Sequence, residues 1–127
     1  MKKVNFSKHF KKIAARVKTL ELTIADCRRK KAALEKQGCR YGASPLWKLQ
    51  RTNKAGDQTK YLRLSYRGSR KYEYIGKDPA KIKAALASID RASTAENLDA
   101  IRRQAEYSLQ DIQEGIRSLV AEHCNRS

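Results

Sequence analysis

Residues 61–76 read Tyr-Leu-Arg-Leu-Ser-Tyr-Arg-Gly-Ser-Arg-Lys-Tyr-Glu-Tyr-Ile-Gly, and the fold turns on them. Apolar and polar residues alternate on either side of Gly68-Ser69, a period of two that belongs to strands. Gly68-Ser69 suits a two-residue hairpin turn of type II′, in which glycine takes the positive φ. That turn pairs Arg67 with Arg70, Ser65 with Tyr72 and Arg63 with Tyr74, and opposite residues share a sheet face. One face then carries Tyr61, Arg63, Ser65, Arg67, Arg70, Tyr72 and Tyr74. The other carries Leu62, Leu64, Tyr66, Lys71, Glu73 and Ile75. The second is the core side, and Glu73 has no evident reason to be there.

A third strand precedes this hairpin. The expected strands are Leu46–Thr52, Lys60–Tyr66 and Lys71–Gly76, with a polar loop at Asn53–Gln58. Trp47 and Leu49 fall on the core face, and Lys48 and Gln50 join the basic, aromatic one. Residues 38–45 contain two glycines and a proline and read as a connector.

Helices are expected on both sides. In residues 6–37, Phe10, Ile13, Val17, Leu20, Ile24, Cys27 and Leu34 recur at steps of three and four, with Lys31 at the one missing place. This is the a/d pattern of a coiled-coil seam, on a rod of about 45–50 Å at 1.5 Å per residue. Ser7 suits its start and Gly38 its end. Asp78-Pro79 opens the next helix as N-cap and N1. Ile82, Leu86 and Ile89 give it a stripe that can cover the sheet. Ser93-Thr-Ala-Glu96 resembles a capping box, which places a break near 92–94. From there to 123, Leu98, Ile101, Ala105, Leu109, Ile112, Ile116 and Leu119 line one side. The expected fold class is α+β: a long N-terminal coiled-coil helix, a three-stranded antiparallel β-meander and a long C-terminal helix. It amounts to a helical hairpin with a β insert, forming one domain over residues 1–127.

Charge narrows the function. The chain has 127 residues, with 29 Lys+Arg against 13 Asp+Glu, a net charge of +16. Residues 1–40 carry net +10, residues 41–77 net +7 and residues 78–127 net −1. Such a field attracts a polyanion, and nucleic acid gains in addition from counterion release. The contact surface is therefore expected on the first helix and the sheet. Arginines fork onto phosphates and guanine edges, and a strand ribbon is narrow enough for the DNA major groove. Interleaved tyrosines also suit stacking on unpaired bases. The candidate contacts are Lys48, Gln50, Tyr61, Arg63, Arg67, Arg70, Tyr72 and Tyr74 on the sheet. Arg28, Arg29, Lys30 and Lys31 form a second set on the first helix, with Lys8, Lys11, Lys12 and Lys18 extending the stripe. An ordinary solvated sheet face, or cations paired with acids of a neighbouring helix, would give the same residues without a ligand.

No Ser-His-Asp order, paired carboxylates or Gly-rich phosphate loop is present, so no catalytic residue and no cofactor is expected. Cys27, Cys39 and Cys124 are odd in number and form no CxxC pair, which argues against a disulfide framework or zinc. Cys27 falls on the apolar seam as a small core residue. His123-Cys124 is a metal dyad without an upstream partner, and no metal is expected. No apolar run approaches a membrane span. The expectation is a cytoplasmic protein, with duplex DNA favoured as partner, and RNA or single strands as the alternative. The helix seams allow a homodimer. A coiled-coil adaptor or phage inhibitor acting on a protein partner is the reading from a different class.

Two resemblances add to this. The stretch from Leu46 to Ile89, through Tyr61-Leu-Arg-Leu-Ser-Tyr-Arg-Gly and Gly76-Lys-Asp-Pro-Ala-Lys-Ile-Lys-Ala-Ala-Leu, resembles the sheet-plus-helix DNA-binding domains of plant AP2-type factors and of phage integrase arm-binding domains. That likeness implies a three-stranded sheet in the major groove. The stretch from Trp47 to about Leu119, with Tyr74-Ile75-Gly76 ending its hairpin, resembles small uncharacterised proteins of transposons and plasmids. That likeness implies a mobile-element setting and assigns no residue a role.

Overall fold

The computed structural model describes residues 6–51, 56 and 58–125. The elements are α1 (Phe6–Gln37), β1 (Ala43–Arg51), β2 (Gln58–Tyr66), β3 (Tyr72–Gly76) and α2 (Pro79–Asn125). The three strands form one antiparallel sheet in the order β1-β2-β3, the α+β meander predicted from the sequence. The chain divides into two compact units, residues 31–96 and the residues up to Lys30 together with those from Asn97 onward.

In the unit 31–96, the hairpin register is as predicted: Arg63 pairs with Tyr74 and Ser65 with Tyr72. The turn differs from the expected type II′. Ser69 N–H donates to Tyr66 O at 3.1 Å, which makes Gly68 the third residue of the turn, at φ 75°. Arg67, Arg70 and Lys71 therefore lie in an exposed loop rather than in paired strand positions. The pairs Ser65–Tyr72 and Arg63–Tyr74 are nonetheless those expected, so the faces are preserved. β1 begins earlier than expected, at Ala43, and includes Pro45. An edge strand tolerates proline because one of its N–H rows pairs with nothing. The polar loop at 53–58 falls outside the described residues except for Gly56 and Gln58.

The core of this unit is small. Leu62 and Leu64 are fully buried against Ala85, with Ala43, Tyr66, Ile75, Ile82, Leu86 and Ile89 around them. Ile82, Ala85, Leu86 and Ile89 sit at i, i+3, i+4 and i+7, one face of a helix. Burying each of the two leucines contributes about 2–3 kcal/mol. Trp47 and Leu49 pair on the same face but stay 48% and 60% exposed. One helical stripe covers the centre of the sheet and leaves this end of the edge strand open, which corrects their expected place in the core.

Glu73 gains its reason here. Its carboxylate accepts from Arg40 at 2.9, 3.1 and 3.3 Å and from the Tyr66 hydroxyl. Arg40 Nη1 also donates to Ser88 Oγ at 2.7 Å, and Ser88 Oγ donates to Ala85 O at 2.6 Å. Arg40 N–H donates to Ser88 O at 3.1 Å, and Arg91 Nε donates to Gly38 O at 2.7 Å. These bonds tie the connector to both the sheet and α2. The Arg40 guanidinium, then the Tyr66 hydroxyl, hold the Glu73 carboxyl below the usual range. Burial, then Glu73, push the Tyr66 hydroxyl up.

α2 starts as predicted, with Ala80 N–H donating to Asp78 Oδ1 at 3.1 Å. It does not break at 92–94. Thr94 Oγ1 donates back to Asp90 O at 3.1 Å instead of capping a new helix.

In the other unit, Leu20 and Cys27 of α1 and Ala105 of α2 are buried. Arg28 Nη2 meets Glu106 Oε1 at 3.0 Å. Glu106 also accepts from Arg102 at 2.8 Å, and Arg102 lies 3.5 Å from Asp99. Phe10, Ile13, Ile101, Ile116 and Leu119, expected on apolar sides, are exposed. The small side chain of Ala105 takes the buried position, and the larger residues flank it. The Ser7, His123 and Cys124 side chains lie outside the described residues.

Glu73→Gln is expected to destabilise the chain by about 1 kcal/mol at neutral pH, the low end for a charged hydrogen bond because a third of each partner is open to water. The folded pKa of Glu73 lies below its ordinary 4.5, so the pair's stabilisation is complete above about pH 4.5 and is lost as pH falls through the folded value. Urea titrations should therefore show a wild-type advantage over Glu73→Gln that narrows below that pH.

Candidate nucleic-acid interface

The outer face of the sheet is built by strand alternation. Lys48 pairs with Tyr61, and Gln50 with Thr59. Arg63 pairs with Tyr74. A bulge follows, because Leu62 pairs with Gly76 and leaves Ile75 as the extra residue. Gly76 takes φ 99°, which favours glycine, and a Cβ there would lie 3.4 Å from the Tyr74 ring. The Tyr74 ring thus lies close to Gly76, on the side where any other residue would place its Cβ. This is what the Tyr74-Ile75-Gly76 motif does in the structure.

Leu49, Gln50, Tyr61, Arg63, Tyr72 and Tyr74 line an open cleft of about 430 Å³. The Tyr61 and Tyr74 rings lie 5.5 Å apart and tilt at 45°. The Arg63 guanidinium sits 4.5 Å above the Tyr72 ring, a cation–π arrangement. Arg63 Nε is buried without a hydrogen-bond partner, and the guanidinium meets no carboxylate among the described residues. Tyr72 and Tyr74 remain 54% and 65% exposed.

The structure therefore brings together Gln50, Tyr61, Arg63, Tyr72 and Tyr74, with Lys48 beside them on the face. It does not bring in Arg67 and Arg70, which the misplaced turn had put there. Arg70 is exposed in the loop, and Arg67 lines a different cavity of about 420 Å³ with Arg40, Ser44, Ser65 and Glu96. Leu49 is an addition. Its alternation assigned it to the core face, and only the open edge strand gives it to the cleft.

The run on α1 is already paired with acids. Arg28 meets Glu106, and Arg29 and Lys30 both meet Asp26, the latter at 3.0 Å. Lys31 is half-buried at its heptad position and lies 3.5 Å from Glu35. Surface pairs of this kind are worth about 0–1 kcal/mol, so a phosphate can displace them. Lys8, Lys11, Lys12 and Lys18 are exposed.

Arg40 and Ser88 were not singled out by sequence. The signal was Glu73, a carboxylate on a core face that required a cation nearby. Among the described residues no helix is long and apolar enough to cross a membrane, and no three His, Cys, Asp or Glu side chains gather as a metal site. No family model, curated protein or solved structure matches this chain.

The Arg63–Tyr72 stack is expected to contribute about 0.5–1 kcal/mol. A double-mutant cycle of Arg63→Met and Tyr72→Leu, read by thermal or urea unfolding, should return a coupling of that size. A coupling near zero would mean the guanidinium is not held by the ring.

Proposed function

We propose that this chain is a non-enzymatic, cytoplasmic nucleic-acid-binding protein whose contact surface is the outer face of the meander. The observation that carries the reading is the grouping of Arg63 with three tyrosines, Gln50 and Lys48 on one uncovered sheet face. Charge supports it: the chain carries net +16, and Arg63 has no carboxylate to neutralise it among the described residues. Phosphates are the natural counter-charge, and Arg67 and Arg70 in the exposed loop extend the basic surface. The paired run on α1 is a secondary contact.

Two forms of nucleic acid fit this face. A narrow antiparallel ribbon with protruding arginines suits the major groove of duplex DNA. The exposed Tyr72 and Tyr74 rings favour unpaired bases. An accessory role in a mobile element or phage belongs to the same proposal and rests on the motif likeness. Exposed Phe10, Leu119 and Val120 favour a second reading, a coiled-coil protein that meets its own copy or another protein through its helices.

A salt titration tests the charge argument. Wild-type affinity for an oligonucleotide should fall steeply and linearly on a log–log plot between about 50 and 200 mM salt. Arg67→Ala/Arg70→Ala should lower that slope by about two, through lost phosphate contacts. Weak binding that neither salt nor the double substitution alters would sink the proposal and turn the search to a protein partner.

A further inference from the structure

We propose that the cleft lined by the tyrosines is a pocket for one unpaired nucleobase, so that the ligand of the sheet face is single-stranded nucleic acid. The inference rests on the nucleic-acid reading above and names its substrate class.

Three of the six residues that line the cleft are tyrosines. Tyr61 and Tyr74 tilt at 45° and so do not stack flat on one another. They are in contact, so the surface left for a third ring is that of the exposed Tyr72 and Tyr74. Tyr74 rests against Tyr61, and Tyr72 is covered on one face by Arg63. Each ring thus has one neighbour before any ligand arrives, which lowers the ordering cost of binding. An exposed aromatic face gains most from another flat apolar surface.

The polar groups of the cleft complete the match. Gln50 offers an amide that both donates and accepts, as the edge of a base requires. Arg63 offers a cation that stacks on Tyr72 and lines the cleft. A nucleotide presents these features together: a flat ring, a polar edge and an adjoining phosphate.

Duplex DNA does not present them together. In a duplex each base face is covered by its neighbours, and only the edges open into the grooves. Tyr72 and Tyr74 would gain no stacking from it. A single strand, with bases free to splay, supplies the missing face.

The test uses the full chain and three labelled oligonucleotides of equal length: a thymine single strand, a strand of abasic sites with the same phosphates, and a duplex. Binding is read by fluorescence anisotropy for wild type, Tyr72→Leu/Tyr74→Leu and Tyr72→Phe/Tyr74→Phe. Wild type should prefer the thymine strand over the abasic one by about tenfold or more. The leucine pair should erase that preference without changing the salt slope, and the phenylalanine pair should keep it. Equal, salt-sensitive binding of thymine and abasic strands by wild type would overturn the base pocket while leaving nucleic-acid binding in place. Tighter binding of duplex, indifferent to the tyrosines, would overturn it in favour of groove binding. No binding to any of the three would overturn both readings. The wild-type comparison decides the matter even if the leucine pair folds poorly.

Discussion

Arg40 reaches from the connector to Glu73 on β3 and Ser88 on α2, and these bonds hold a unit with very little apolar core. Two leucines are fully buried beneath one helical stripe. A three-stranded sheet this lean needs a covered face to be independently stable. The carboxylate of Glu73 helps by drawing a guanidinium and a phenol to the same point. Each would otherwise be a polar group left at the margin of the core. Arg91 donates to the carbonyls of Gln37 and Gly38, and Arg67 N–H donates to Gly42 O, so the connector is anchored at both ends. Breaking one partner would leave the others without satisfaction, so the group acts as a unit.

The inner and outer faces of the sheet show opposite treatments of the same residue types. On the inner face, a tyrosine and an arginine are consumed by a carboxylate. On the outer face, Arg63 and its tyrosines have only each other. A cation stacked on a ring keeps its charge unneutralised. That difference, rather than the count of basic residues, separates a structural arginine from one free to meet a ligand. The α1 run belongs nearer the first kind, since each of its four cations already meets an acid.

Much of the fold was legible in the residues. The two-residue period through Tyr61–Gly76 set strand identity, and the even loop fixed which side chains share a face. Asp78-Pro79 marked the start of α2 because a capping carboxylate and a proline without N–H both suit a first turn. The turn at Gly68 was misplaced by one residue, since a glycine at positive φ satisfies more than one turn type. That single step moved Arg67 and Arg70 off the face while leaving Arg63, Tyr72 and Tyr74 on it. The expected break near 92–94 failed because Thr94 has two ways to satisfy its hydroxyl, and an uninterrupted helix lets it bond back to Asp90.

The sequence by itself determined the elements, their order, the hairpin register and the excess of positive charge, because these follow from local periodicity, turn chemistry and composition. Tertiary structure alone decided which residues are covered. Trp47 and Leu49 alternate like core residues, yet α2 offers one narrow stripe and covers the centre of the sheet. Glu73 sits on a core face because Arg40, thirty-three positions away, comes back to meet it. The cleft joins Leu49 and Gln50 of β1, Tyr61 and Arg63 of β2 and Tyr72 and Tyr74 of β3. Such facts depend on pairs of residues distant in the chain, and no local pattern of side chains carries them.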